Sequence, residues 1–171
     1  MDTSSPAVEI VAIDRLFCSP TNPRLNDQAV PHVAASLRRF GWQQPIVAKR
    51  DGEVIAGNTR LKAAQSLGMT EVPVWWFEGT ELDAIAYGIA DNRTATFSEF
   101  DEPVLAKLLE QLRAEDALDG VGYSEDDIDA LVQELRDQEE IDKDLDDNGA
   151  EDPPAVAVAK PGDLRPGRRA R

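Results

Sequence analysis

Apolar and polar positions change period along this chain, and each change marks an element. Val8, Ile10, Val11, Ala12 and Ile13 form the first apolar run and predict a strand. Cys18 to Asp27 holds two prolines and two asparagines and reads as a loop. Val30, Val33, Ala34, Leu37 and Phe40 recur at helical spacing, with Pro31 in the first turn and Gly41 as the stop. Two strands then flank Asp51-Gly52, a two-residue hairpin pattern whose residues both adopt positive φ. Gly57 follows the second of these strands. It opens a helix with Leu61, Ala64 and Leu67 on one face and Gly68 at the end. Val72, Val74 and Trp76 alternate as a strand. Thr80 and Asp83 have capping-box spacing ahead of Leu82, Ile85, Ala86 and Ile89. The pattern predicts an α+β domain: a mixed sheet with packed helices, burying Leu37, Ile46, Ile55, Leu61 and Val74.

Beyond Asp101 the texture changes. Val104, Leu105, Leu108, Leu109 and Leu112 lie at helical spacing. Ser124 to Asp127 forms a second capping box before Ile128, Leu131, Val132 and Leu135. Two short helices joined by a glycine-containing loop invite a helix-turn-helix reading. The second helix argues against it. Its polar face offers Glu125, Asp126, Asp129, Glu134 and Asp137, where a helix entering a DNA groove needs bases. A helical pair that packs on the first domain or on a partner is expected instead. From 138 onward, acidic residues and prolines predict a disordered tail. The expected divisions are a core domain at 1–98, a short acidic helical extension at 99–137 and the tail at 138–171.

Charge sharpens that division. The formal net charge is −15, and the acids crowd into 99–152 while 153–171 is basic. Affinity for duplex DNA rests mainly on neutralising phosphates. Any DNA contact is therefore expected from the first segment, through a local face of Arg24, Arg38, Arg39, Lys49, Arg50, Arg60 and Arg93. The single cysteine, Cys18, excludes an internal disulfide and suits a reducing cytosol. The N-terminus has neither a basic start nor an apolar run, so no signal peptide is predicted, and no stretch approaches a membrane span. A cytoplasmic chain without a membrane partner is expected. The lone His32 has no companions for a zinc site.

Candidate chemistry concentrates at the turn after Ala56. A glycine between a strand and a helix N-terminus lets a ligand approach bare backbone. The free N–H groups there suit an anion, and an arginine one turn in can grip it through two parallel bonds. Gly57, Asn58, Thr59 and Arg60 are thus a phosphate-site pattern. The plain alternative is a turn glycine beside a solvated arginine.

Four stretches carry a family resemblance by their order and spacing: Asn22-Pro23-Arg24, SLRRFGWQQPIVA (36–48), GEVIAGNTRLKAAQSLGMTEVPV (52–74) and IADNRTA (89–95). Together they resemble the N-terminal domain of the ParB family, the ParB/sulfiredoxin fold. The resemblance implies that Gly57, Asn58, Thr59 and Arg60 hold the triphosphate of a nucleotide, CTP in the partition proteins. It implies that Arg24 reaches the same anion, that Asn92 lies near the nucleotide, and that Asp91 lies near its Mg2+. On the residues alone, Asp91-Asn92 also reads as a helix C-terminal cap. Asn58 and Thr59 depart from the acidic and basic residues usual in partition proteins. Arg93 follows Asn92 at once, whereas those proteins place their arginine later. Sulfiredoxins carry a cysteine and a histidine at the positions of Asn58 and Thr59, so thiol chemistry is not expected here.

Lys160-Pro161-Gly162-Asp163-Leu164 resembles the entry into the catalytic domain of bacterial and phage DNA-amino methyltransferases that carry a ParB-like domain in front. No methyltransferase motif follows it. The reading that results is a nucleotide- or DNA-linked accessory module of a DNA modification or partition system. Its partners would be DNA, a DNA methyltransferase domain or a second copy forming a homodimer. Two other classes stay open. One is a ParB-like nuclease or nucleotide hydrolase such as a weak CTPase, for which clustered metal-binding carboxylates are wanted. The other is a protein-interaction module acting through the acidic helices.

Overall fold

A computed structural model describes residues 7–94 and 96–148, the last five by backbone alone. At its centre is a five-stranded sheet of β1 (Glu9–Ala12), β2 (Phe17–Cys18), β3 (Ile46–Ala48), β4 (Glu53–Ala56) and β5 (Glu71–Trp76), in the order β1-β5-β3-β4-β2. β1 is antiparallel to β5 and β3 to β4, whereas β3–β5 and β2–β4 are parallel. The class is the expected α+β.

Two helices, α1 (Val30–Phe40) and α2 (Asn58–Ser66), cover one face. Strand alternation turns Ile46, Ala48, Val54, Ala56, Val72, Val74 and Trp76 inward, and all are buried. Leu61 and Ala64 of α2 join this core, and Ala63 packs on Ala34 and Leu37 of α1. Ile55 departs from expectation. It lies between Val54 and Ala56 on β4, so its side chain points to the opposite face and is half-buried.

That second face is only partly roofed, by α3 (Glu81–Thr94). The Thr80–Asp83 capping box starts this helix. The Thr80 N–H and hydroxyl donate to Asp83 Oδ2 at 3.0 and 2.6 Å, and the Asp83 N–H donates back at 3.2 Å. The apolar stripe read from the sequence does not face the sheet. Leu82, Ile85 and Ile89 are 75%, 48% and 56% exposed, and Ala84 is the buried residue of the helix. Small side chains decide this. Ala84 and Gly88 let α3 approach closely, and a Cβ on Gly88 would meet Ile55 at 3.3 Å.

The β3–β4 connection also departs from the expected two-residue turn. It runs from Lys49 to Gly52, closed by Gly52 N–H donating to the Lys49 carbonyl and Lys49 N–H to the Glu53 carbonyl, each at 2.9 Å. Gly52 alone in this turn has positive φ, at 98°. Asp51 needs none, because its carboxylate accepts the Glu53 N–H at 3.0 Å and shapes the turn with its side chain. A Cβ on Gly52 would lie 2.1 Å from the Arg15 carbonyl oxygen.

After the sheet come α4 (Glu102–Ala114) and α5 (Glu125–Asn148). Asp101 caps α4 by accepting the Val104 N–H at 3.1 Å, and the Ser124–Asp127 box starts α5 as read. Leu109 and Ile128 are fully buried. Arg39 of α1 donates to the carbonyls of Ala117 and Asp119, which ties the α4–α5 loop to α1. The chain divides into two compact units between Val132 and Gln133. Residues 138–148, the first part of the expected tail, belong to α5. The i,i+4 pair of Lys143 with Glu139 in this stretch, that of Gln133 with Asp137 just before it, and the lack of glycine or proline before Gly149 favour helix. Residues 149–171, with the stretch Lys160 to Leu164, lie outside the described residues. Among the described residues no helix is long and apolar enough to cross a membrane.

Candidate functional site

β4 ends at Ala56, and Gly57 turns the chain into α2 with φ 99° and ψ 21°. No side chain caps α2, and its first internal bond is the Leu61 N–H donating to the Gly57 carbonyl at 2.9 Å. The N–H groups of Asn58, Thr59 and Arg60 thus open the helix as free donors. They face a polar cleft of about 210 Å³. This cleft gathers every residue assigned to the nucleotide or its metal: Gly57, Asn58, Thr59 and Arg60, Arg24 from the loop before α1, and Asp91 and Asn92 from the end of α3. Sharing Asn22, Ile55 and Asn92, a more apolar cleft of about 270 Å³ adjoins it and extends to Ser19, Pro23, Glu53 and Ile89.

These residues do different jobs. The Asn58 side chain is buried and already used: Oδ1 accepts the Ser19 N–H at 3.1 Å, and Nδ2 donates to the Val54 carbonyl at 3.3 Å. It fixes the loop after β2 to β4, so what it offers the cleft is backbone. Asn22 closes a turn on Arg24 through two side-chain bonds to its backbone, at 3.2 and 3.3 Å. That turn aims the Arg24 guanidinium at Asn92, to whose Oδ1 it donates at 3.1 Å. Asn92 Nδ2 donates to the Gly88 carbonyl at 2.8 Å, and α3 runs on to Thr94. Asn92 is therefore a clasp between α3 and the Arg24 loop, one turn short of where a cap would sit.

Arg60 is the most constrained of the set. Nη1 donates to Gln44 Oε1 at 2.9 Å and Nη2 to the Pro45 carbonyl at 3.2 Å. Nε is buried without a partner, the single such side-chain atom among the described residues. The same edge lies against the turn: a Cβ on Gly57 would meet Nη2 at 3.1 Å and Nε at 3.2 Å. Burial pushes the guanidinium below its ordinary value, and nearby Asp91, then Tyr87, oppose that shift. It remains a cation at any physiological pH. Beyond its far side opens an aromatic-walled cleft of about 660 Å³, with Trp75, Phe77, Tyr87 and Asp91.

Sequence reasoning missed several neighbours. Gln44 lies upstream of the motif and is joined to it only by the fold. Asn26 is buried beside the cleft, its Oδ1 accepting from Lys62 Nζ at 3.2 Å. Ser19 and Glu53, bonded at 2.7 Å, line the adjoining cleft with Lys49.

The expected basic face is not free. Lys49 pairs with Glu53 and Glu81, Arg50 with Glu78 and Glu9, and Arg39 with backbone carbonyls. Arg24 and Arg60 are held as described, and Arg93 bonds Thr96 while stacking on Phe97 at 4.3 Å. Only Arg38 of that group makes no such bond among the described residues. Acids pair with Lys49 and Arg50, whereas Arg24, Arg39, Arg60 and Arg93 bond neutral groups and keep their charge. Among the described residues no three His, Cys, Asp or Glu side chains gather as a metal set. Asp91 is a single exposed carboxylate at the cleft.

Comparison with known proteins adds the following. The model of the ParB N-terminal domain matches residues 1–93. The ParB-like nuclease domain-containing protein YnaK of Escherichia coli is 40% identical over 47 residues, 28% of this chain and 54% of that protein. A probable plasmid-partitioning protein ParB of Deinococcus radiodurans is 30% identical over 102 residues, 57% of this chain and 35% of the relative. The chain spans about half or less of the length of the curated relatives it matches. The C-terminally truncated chromosome-partitioning protein ParB of Caulobacter crescentus, solved with CTP-gamma-S, superposes with a TM-score of 0.55 at 22% identity. The match covers 71% of this chain and 68% of that one. That likeness shows the fold.

Proposed function

Because the chain belongs to the ParB N-terminal domain family, we propose that it is a nucleotide-binding module whose phosphate site is the turn at Gly57. The observation that carries this reading is the orphan Nε–H of Arg60. A buried charged donor without an acceptor is costly, and here it lies with Nη2 against Gly57, where a Cβ would press on both nitrogens at 3.1–3.2 Å and only glycine leaves them uncovered by a side chain. An anion oxygen over Gly57 would accept from Nε and Nη2 side-on and from the open amides of α2. Arg24 would supply a second cation from across the cleft. The sugar and base would extend into the adjoining cleft toward Pro23 and Ile55. The Caulobacter relative was solved with a CTP analogue, which makes CTP the first ligand to test. A Mg2+ ion would take Asp91, phosphate oxygens and water, since this ion commonly needs only one or two carboxylates beside phosphates.

The outward apolar residues Ile85, Ile89, Phe97, Phe100 and Val104 suit a nucleotide-dependent contact with a second copy. DNA remains the partner the family suggests. A link to DNA modification rests on the stretch Lys160 to Leu164 alone. Titration calorimetry with CTP, ATP, GTP and UTP, with and without Mg2+, tests the proposal. Saturable binding of one nucleotide supports it, and the absence of heat with all four at millimolar concentration overturns it.

A further inference from the structure

We infer that Gln44 is a positioning residue for the phosphate site, acting through Arg60 without touching the ligand. The inference rests on the nucleotide-binding reading above. A guanidinium has two usable edges. In Arg60 the end-on pair, Nη1 and Nη2, is engaged by Gln44 Oε1 at 2.9 Å and by the Pro45 carbonyl at 3.2 Å. The side-on pair, Nε and Nη2, faces Gly57. Each Nη carries two hydrogens, so Nη2 can bond the Pro45 carbonyl with one and an anion with the other. The two acceptors therefore hold the plane of the group with its free edge turned to the turn.

The Pro45 carbonyl alone would leave the group free to rotate about a single contact. The second contact fixes the plane, and a bidentate grip depends on that orientation. Gln44 is absent from the lining of the phosphate cleft, whereas Arg60 lines both that cleft and the aromatic one where Gln44 sits. Asp91 also lines both clefts, and its carboxylate makes no bond to Arg60 among the described residues. Losing Gln44 would let Arg60 swing toward that carboxylate and away from Gly57.

The test is a double-mutant cycle read by nucleotide titration. Gln44→Met keeps the length of the side chain and removes the acceptor. It should weaken binding about three- to tenfold, the scale of one ordinary net hydrogen bond, because the loss acts on the ligand only through Arg60. On an Arg60→Ala background the same change should have no further effect. Gln44→Glu, which keeps an acceptor at that position, should bind within about twofold of wild type once salt screens its added charge. A Gln44→Met protein that binds as wild type, while Arg60→Ala is impaired, overturns the inference and leaves the phosphate site standing. Equal losses on both backgrounds would place Gln44 against the ligand itself and overturn it as well. A wild type that binds no nucleotide removes the phosphate-site reading, and this inference with it.

Discussion

At the scale of single residues, Arg60 and Gly57 form one unit. Gly57 adopts a left-handed φ of 99°, and a side chain there would press on the guanidinium at 3.1–3.2 Å. Gly57→Ala should therefore cost about 1–3 kcal/mol of stability from backbone strain and displace the arginine together. Arg60→Lys keeps the charge but loses the planar fork. Nucleotide affinity should fall about tenfold or more, with a small loss in Tm because the bonds to Gln44 and Pro45 also go. Calorimetry and a thermal melt on the same sample check both, and an unaltered affinity would show that Arg60 serves the fold alone. The sequence made Gly57 and Arg60 legible because a strand, a glycine and a helix adjoin there. It did not reveal Asn58 as a buried brace, since an asparagine in a polar motif reads equally as ligand or as structure. Gln44 was hidden because its bond to Arg60 spans two elements and follows no local period.

At the scale of elements, the β3–β4 hairpin is held by ions as much as by its turn. Glu53 sits between Lys49 and the Ser19 hydroxyl, and Lys49 also pairs with Glu81 at 2.9 Å. Lys49, then Ser19, holds the Glu53 carboxyl below its ordinary 4.5. Glu53 and Glu81 together raise Lys49 above its ordinary 10.5. A carboxyl lowered by folding contributes stability that is complete above its unfolded value and lost as pH falls through the folded one. The raised lysine contributes below 10.5 and loses that contribution as pH rises beyond it. Acidification below pH 4.5 should lower Tm in wild type by more than in Glu53→Gln. Parallel acid limbs for the two proteins would show that the cluster contributes nothing. Elements whose apolar spacing matched their burial, such as α1 and α2, were readable from sequence. α3 was not, because its largest apolar residues face outward while Ala84 and Gly88 face the sheet. Periodicity reports a stripe without saying which side is covered.

At the scale of the whole molecule, the α4 and early α5 region belongs to the same compact unit as the sheet, which spans Met1–Val132. Leu109 and Ile128 are as buried as the sheet core. Leu109→Ala should cost about 2–5 kcal/mol in a single transition shared with the sheet. Two separate transitions, with the sheet unaffected, would make the region an independent appendage. The formal net charge of −15 also sets an expectation for nucleic acid. Without nucleotide, this chain should retard duplex DNA weakly at physiological salt, because its acids far outnumber its bases and duplex affinity rests on neutralising phosphates. Tight retardation by the chain alone would contradict that. The most direct test of the account is the resonance of the Arg60 Nε–H, assigned by its loss in Arg60→Lys and followed during titration with CTP and Mg2+. The account predicts a saturable shift and slowed solvent exchange as an anion oxygen fills the vacant acceptor position. An Nε–H signal that stays fixed while CTP binds elsewhere, or while no nucleotide binds at all, would contradict it.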